Sequence, residues 1–426
     1  MATDSGNRRR PAPNGRSGST RRTAPDGRYP TNRRSSSQRA TTQRSSGGYT
    51  GGPYRDSRGG YSQPTRRKKS RKKKRHFLFI LEILVILVLV VALYVVYRLD
   101  LADTGNKSSM EEVTVNEEVL AQIEDEENDE WKMDGYTNIA LFGVDSRDMN
   151  LGKGTLADTI IVASLNNETG EIKLCSIFRD TYCAIGEDSD GKQTFTKANT
   201  AYSAGGPGQA VQMLNTNLDM DISEYVTVGF KALVDTIDSL GGIEIEITED
   251  EIHFLNDYQI GTAEAIGIPQ SQIINVTSPG RQTLNGLQAT SYCRIRYTKG
   301  DDFKRAERQR TVLSQVAEKA MTADVATLNS LIDAIFPLCN TSLTKTEILS
   351  YATRMGKFRL GDQSGFPFER VTGVMGRAGS CVVAEDFAQN VVEFHRFLFG
   401  DSEYTPSQTV KDVSQRIQSD RQKNGV

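Results

Sequence analysis

TIIVASLNNETGEIKLCSI, residues 159–177, sets the fold class. Two apolar runs rich in Ile and Val flank Asn-Asn-Glu-Thr-Gly, a turn composition, so the stretch predicts a β-hairpin. NIALFGV (138–144) just before it reads as a third strand. Beyond it, GQAVQMLNTNL (208–218) and FKALVDTIDSL (230–240) place apolar residues three and four apart, as helices do, and GGIEIEI (241–247) alternates as a strand does. Strands mixed with helices imply a layered α/β domain, here 136–400. Residues 366–384 read as a second hairpin and AEDFAQNVVEFHRFLF (384–399) as a closing helix. GGPG at 205–208 reads as a turn, and 401–426 as a loose polar tail.

Outside that domain the chain changes character. Residues 1–75 carry 22 Lys+Arg against 3 Asp+Glu, leaving 30 against 51 for the rest. The two parts therefore face different surroundings. The divider is FLFILEILVILVLVVALYVVY (77–97), preceded by RRKKSRKKKR. An apolar run of that length spans a bilayer, and the basic flank stays on the cytoplasmic side. The reading is a disordered basic cytoplasmic tail (1–75), one transmembrane helix (76–98), an acidic extracytoplasmic stalk (99–135), and the domain outside a cell membrane. The tail is almost without aliphatic residues, so it lacks the means to build a core. It suits anionic membrane lipid; specific nucleic-acid binding is not expected.

Several chemistries are excluded. The three histidines, His76, His253 and His395, have no partner at motif spacing, and GxSxG, P-loop and HExxH patterns are absent. Five cysteines, none in CxxC, make neither a disulfide scaffold nor a zinc site.

What remains is a set of acids and arginines. Pairing 165 with 171 in the hairpin puts Asp158 opposite Phe178, beside Arg179. If 138–144 runs antiparallel to 159–165, Asp145 and Asp158 meet at one sheet edge. Two neighbouring carboxylates repel unless a cation lies between them, and Mg²⁺ accepts one or two carboxylates plus phosphate oxygens. Simple turn-capping is the bland alternative. Further on, RIRYTKGDDFKRAERQR (294–310) packs five arginines and two lysines into an otherwise acidic region. Arg294 and Arg296 share a face if extended. Asp301 or Asp302 N-caps a helix whose apolar stripe is Val312, Leu313, Val316 and Ala320, and stepping back by fours puts Gln309 and Arg305 on the inward face. An arginine in a first turn opposes the helix dipole and needs a carboxylate or a bound anion. Either an internal Arg–Asp network or a phosphate seat answers that need.

Taken together, NIALFGVDSR, LADTIIVASLN, SIFRDTY, KANTAYSAGG, LVDTIDSLGGIEIEI, TLNGLQATSYCRIRY and GDDFKRAERQR resemble the LytR-CpsA-Psr proteins of bacterial envelopes, from about Asn138 to Arg310 and more loosely to Gly400. The resemblance implies a three-layer α/β/α sandwich around a mixed central sheet. It implies a phosphotransferase that moves a glycopolymer, of teichoic acid or capsule type, from a polyprenyl diphosphate carrier to peptidoglycan. By matching position, Asp145 and Asp158 would hold Mg²⁺ (or Mn²⁺). Arg179, Arg294, Arg296, Arg305 and Gln309 would bind the diphosphate, and Asp302 with Arg305 would act in catalysis. The prenyl chain would lie in an apolar groove. This chain departs from the family pattern twice: Leu156 stands where an arginine is common, and Phe178 where proline is common. Leu156 keeps open a non-catalytic polyprenyl-diphosphate binder; an envelope-related transcriptional attenuator is a further alternative.

Overall fold

The computed structural model describes residues 113–124, 132–146, 151–296 and 301–426. The tail 1–75 and the membrane span 76–98 lie outside these residues, as does much of the stalk. Among the described residues no helix is long and apolar enough to cross a membrane.

The sequence pattern that predicted strands yields strands. β1 (Tyr136–Val144), β2 (Ala157–Asn166) and β3 (Glu171–Ile177) form an antiparallel meander. β4 (Tyr182–Glu187) and β5 (Gln193–Lys197) pair beside it. β6 (Glu224–Gly229) adds to β1 in parallel. β7 (Ile243–Ile247) and β8 (Gly280–Leu284) form a separate ribbon. β9 (Cys339–Thr341) and β10 (Arg359–Phe366) close the two edges of the main sheet, whose order is β10-β3-β2-β1-β6-β9. β11 (Arg370–Val374) and β12 (Ser380–Ala384) make the second expected hairpin. The result is a mixed central sheet with flanking helices.

The helices Asn199–Leu218 and Phe387–Phe399 bury apolar side chains against this sheet. A second cluster joins β7, the helix Glu249–Ile266 and the helix Asp301–Thr322 through Ile243, Ile245, Leu255 and Val312.

Four expectations are corrected. The register of the first hairpin is shifted by one residue: Leu165 pairs with Ile172, not with residue 171. Gly170 takes φ 71°, donates its N–H to the Asn166 carbonyl at 2.9 Å, and lies against the Lys357 carbonyl, where a Cβ would collide. GGPG is not a turn; it lies inside the helix Asn199–Leu218, which kinks at Gly206 (φ 73°) and resumes at Pro207. Residues 401–426 are not a loose tail, because Gln408–Asn424 is a helix that buries Val410, Val413 and Ile417 in the main core. Those residues stand three and four apart, enough for a narrow apolar stripe in a polar segment. The described part of the stalk is docked rather than free. Val119 and Met133 are buried in the core, and Asn116 donates to Asp219.

Candidate functional site

The parallel pair β1 and β6 ends at one edge of the sheet, the usual place for a ligand in an α/β fold. Asp145 follows β1 directly. β2 starts at the same edge with a bulge. Gly143 pairs with Thr159 and Val144 with Ala157, so Asp158 is the extra residue. A bulge re-aims the side chain it carries. Here it faces β3, after which Arg179 closes on it with Nη1 2.7 Å from Asp158 Oδ1. The shifted hairpin register helps, since continued outward from the Ile161–Ser176 pair it brings Asp158 level with Arg179 rather than with Phe178.

The segment after the helix Gly286–Tyr292 supplies two more guanidiniums. Ile295, fully buried, points away from the site between them. Arg294 Nη2 lies 3.6 Å from Asp145 Oδ2, and Arg296 Nη2 lies 3.4 Å from Asp158 Oδ2. Arg294 is also oriented by Thr262 Oγ1 at 2.9 Å and by the ring faces of Phe230 and Tyr258.

The long helix Asp301–Thr322 completes the site. It begins at Asp301, so Asp302 sits in the first turn rather than at the cap position. There its carboxylate complements the positive end of the helix dipole. Asp302 Oδ1 lies 3.4 Å from Arg305 Nη1 and 4.0 Å from Arg296 Nε. Arg305 is buried, and its Nη2 donates to the Asp158 carbonyl at 3.3 Å. Burial pulls the Arg305 pKa below the usual arginine value, and neighbouring Arg296 adds to that, against the opposing pull of Asp158. At Arg179 burial acts in the same direction, but Asp158 and Asp180 outweigh it and the pKa rises. Four arginines and Lys197, which pairs with Asp180 at 3.1 Å, thus face Asp145, Asp158, Asp180 and Asp302, an excess of one positive charge in a half-buried setting. An anion is the natural complement.

An apolar groove of about 390 Å³ runs from this cluster into the layer between sheet and helices. Asp145, Asp158, Arg294, Arg296, Arg305 and Gln309 line its polar end, and Val226, Leu233, Leu313 and Val316 are among the residues lining the rest. Of the expected site residues, Arg179 and Asp302 do not line this groove; they line a small adjoining gap together with Asp158, Arg305 and Gln309. Leu156 is 46% exposed and brings no polar group to the site.

Sequence reasoning missed what holds the arginines in place. Arg308 is buried and its Nε contacts Glu251 Oε1 at 2.8 Å, while its Nη1 donates to the Ile295 carbonyl at 3.2 Å. Glu251 in turn closes the capping box of Thr248 at the start of the helix Glu249–Ile266. Thr248-x-x-Glu251 was legible as a capping box; its second duty toward Arg308 was not.

Comparison with known proteins places this geometry in a lineage. The model of the LytR_cpsA_psr family matches residues 97–364. A teichoic acid transferase of Bacillus subtilis, named polyisoprenyl-teichoic acid–peptidoglycan teichoic acid transferase TagU, is 33% identical over 186 residues, 43% of this chain and 51% of that protein. The TagU of Enterococcus faecalis is 29% identical over 237 residues, covering 54% and 71% respectively. Biofilm regulatory protein A of Streptococcus mutans is 29% identical over 234 residues, covering 52% and 55%. The chain thus spans little more than half the length of two of these three relatives. A crystal structure of a Streptococcus agalactiae protein shares the fold, with a TM-score of 0.52 at 20% identity over 65% of this chain and 92% of that one.

Proposed function

The chain belongs to the LytR_cpsA_psr family, and from that premise we propose that it transfers a glycopolymer of teichoic acid or capsule type from a polyprenyl diphosphate carrier to peptidoglycan. The observation that carries this reading is the convergence of Arg179, Arg294, Arg296 and Arg305, from three separate segments, on two aspartates at the mouth of an apolar groove. A lipid diphosphate has the same two-part character: a multiply charged head and a long hydrocarbon chain.

Asp145 and Asp158 suit a divalent cation. Asp145 Oδ1 is buried and has no hydrogen-bond partner, so one lone-pair site is left for an ion. Among the described residues no cluster of three or more His, Cys, Asp or Glu side chains forms a closed metal cage. Two carboxylates supplemented by phosphate oxygens and water match Mg²⁺, or Mn²⁺, better than a closed site would. When bound, such a cation supplies charge neutralisation on the diphosphate.

The chain's own residues do the rest. Arg294 and Arg296 chelate the diphosphate from one side, Arg179 and Arg305 from another, and Gln309 lines the same wall. An acceptor hydroxyl oxygen bonds to the phosphorus nearer the glycopolymer. The bridging P–O bond breaks, and its electron pair leaves on the prenyl monophosphate. Asp302 orients Arg296 and Arg305 and receives the hydroxyl proton. Transfer of this kind needs position and charge more than covalent help. A membrane anchor at 76–98, with the basic tail on anionic lipid inside the cell, would keep the domain beside a membrane-held donor and raise its effective concentration.

The test is reconstituted transfer with the full chain in detergent. Asp158→Asn and Arg294→Gln should each lower turnover by about 100-fold or more while still melting cooperatively. Chelation of divalent ions should abolish turnover, and Mg²⁺ should restore it. Wild-type rates in both variants would refute the site. A second reading rests on exposed Leu156: a binder without turnover. Lipid diphosphate binding with no transfer to any peptidoglycan acceptor would favour it.

A further inference from the structure

The helix Asp301–Thr322 has two working faces. Arg305, Gln309, Val312 and Val316 look into the lipid groove. Phe303, Lys304, Glu307 and Arg310, on the other side of the same turns, line a second cleft of about 610 Å³. Nothing in the proposed donor site uses this cleft.

Its construction is specific. Phe178 and Phe303 meet edge to face with centroids 4.7 Å apart. The Arg370 guanidinium lies over both rings, 4.9 Å and 4.3 Å from their centroids. It is fixed there because its Nη1 donates to the carbonyls of Pro367 and Phe368 at 2.9 and 2.8 Å. Arg310 is half-buried, and its Nη1 is buried with no hydrogen-bond partner. Glu307, one turn before it, is taken by Lys304 at 2.9 and 3.0 Å. With that pair neutralised, Arg310 and Arg370 face only Glu369 among the charged lining groups, so the cleft is left with one excess positive charge. An aromatic floor with a fixed cation and a second, hydrogen-bond-hungry guanidinium suits a sugar ring that carries a carboxylate. The sugar packs against the half-buried Phe303 and the Arg370 guanidinium that covers it, and the carboxylate meets the Arg310 fork.

The cleft also abuts the phosphate site. A small gap lined by Asp158, Arg179, Asp302 and Arg305 is closed on its other side by Phe178 and Ala306, and Phe178 lines the cleft as well. A ligand in the cleft is therefore separated by the Phe178 side chain from the arginines that would hold the reacting phosphorus.

We propose that this second cleft is the acceptor subsite: it binds a carboxylate-bearing glycan strand, with the sugar against Phe303 and the Arg370 guanidinium that covers it, and the carboxylate on Arg310. The assignment rests on the transferase reading above, in which the acceptor is peptidoglycan.

The experiment titrates the full chain in detergent with three probes: an undecorated peptidoglycan tetrasaccharide freed of its stem peptides, so that its lactyl carboxylates are ionised, neutral chitotetraose, and geranylgeranyl diphosphate. Wild type should bind the peptidoglycan fragment about tenfold more tightly than chitotetraose. Arg310→Gln should weaken the fragment by about tenfold and Phe303→Leu by about fivefold, with geranylgeranyl diphosphate affinity unchanged in both. Thermal melts establish that each variant is folded, and Arg310→Gln carries the test should Phe303→Leu fail to fold. Fragment affinities equal to wild type in both variants, or equal binding of the neutral glycan, would overturn the proposal. Should wild type fail to bind geranylgeranyl diphosphate while the fragment still responds to Arg310→Gln, the donor-site reading fails and the glycan cleft stands.

Discussion

Replacing Arg308 by methionine tests how the phosphate-facing arginines are kept in place. The Arg308 and Glu251 side chains are 2% and 6% exposed and 2.8 Å apart. Removing one partner of a buried ion pair costs about 3–5 kcal/mol, because the other charge stays buried without compensation. Arg308→Met preserves bulk, so the loss comes from the stranded Glu251 carboxylate and from the Ile295 carbonyl, which loses its donor at 3.2 Å. A loss of about 3 kcal/mol lowers Tm by roughly 5 °C in a domain of this size. In the double variant Glu251→Gln/Arg308→Met the stranded charge is gone, and the glutamine still accepts from the Thr248 N–H as Glu251 does at 3.0 Å. Most of the stability should return. Affinity should not return. Ile295 lies between Arg294 and Arg296, and without its tether both guanidiniums lose their set position. One lost hydrogen bond of about 1–1.5 kcal/mol predicts binding of geranylgeranyl diphosphate weakened by roughly five- to tenfold in the double variant. Differential scanning calorimetry and isothermal titration of wild type and the two variants separate the two effects. A single variant that melts like wild type would remove the buried-charge argument. A restored double variant with wild-type affinity would remove the positioning argument.

Two other expectations follow from single residues. Leu156→Arg adds a cation at an exposed position beside the site; geranylgeranyl diphosphate affinity should rise by about tenfold or more, the value of one added charged hydrogen bond, and an unchanged affinity would show that the exposed Leu156 position does not reach the diphosphate. His395 is buried, stacked on Tyr404 and bonded to the Leu218 carbonyl, and burial lowers its pKa from 6.5 to about 4. The unfolded chain takes up this proton near pH 6.5 and the folded one only near 4, so the stabilisation is complete above pH 6.5 and is lost as pH falls toward 4. The loss is about 3 kcal/mol. Urea midpoints measured between pH 7 and 4 should fall accordingly, and less steeply in His395→Asn; parallel slopes would contradict it.

How much of this was legible before the structure depends on whether the deciding interaction is local. The strand β1, the hairpin β2–β3 and the helix from Asp301 came from alternation and spacing, which act within a few residues. The inward face carrying Arg305 and Gln309 followed from the stripe Val312–Val316, and both line the groove. The hairpin register failed by one residue because it turns on Gly170 adopting a left-handed φ, a choice made among several turns open to Asn-Asn-Glu-Thr-Gly. The bulge at Asp158 was invisible for a related reason: alternation along β2 cannot reveal that β1 omits a partner for one of its residues. The helix Gln408–Asn424 was hidden by composition, since three buried apolar residues hold it to a core supplied by other segments. Farthest from view was the Arg308–Glu251 pair, 57 residues apart in sequence. Either residue alone reads as an exposed helix charge; only the packing of one helix against the other removes water from both. The arginines that would touch a ligand could be picked out from their spacing. The ion pair that holds them apart from one another and aimed at the groove is a property of tertiary packing alone.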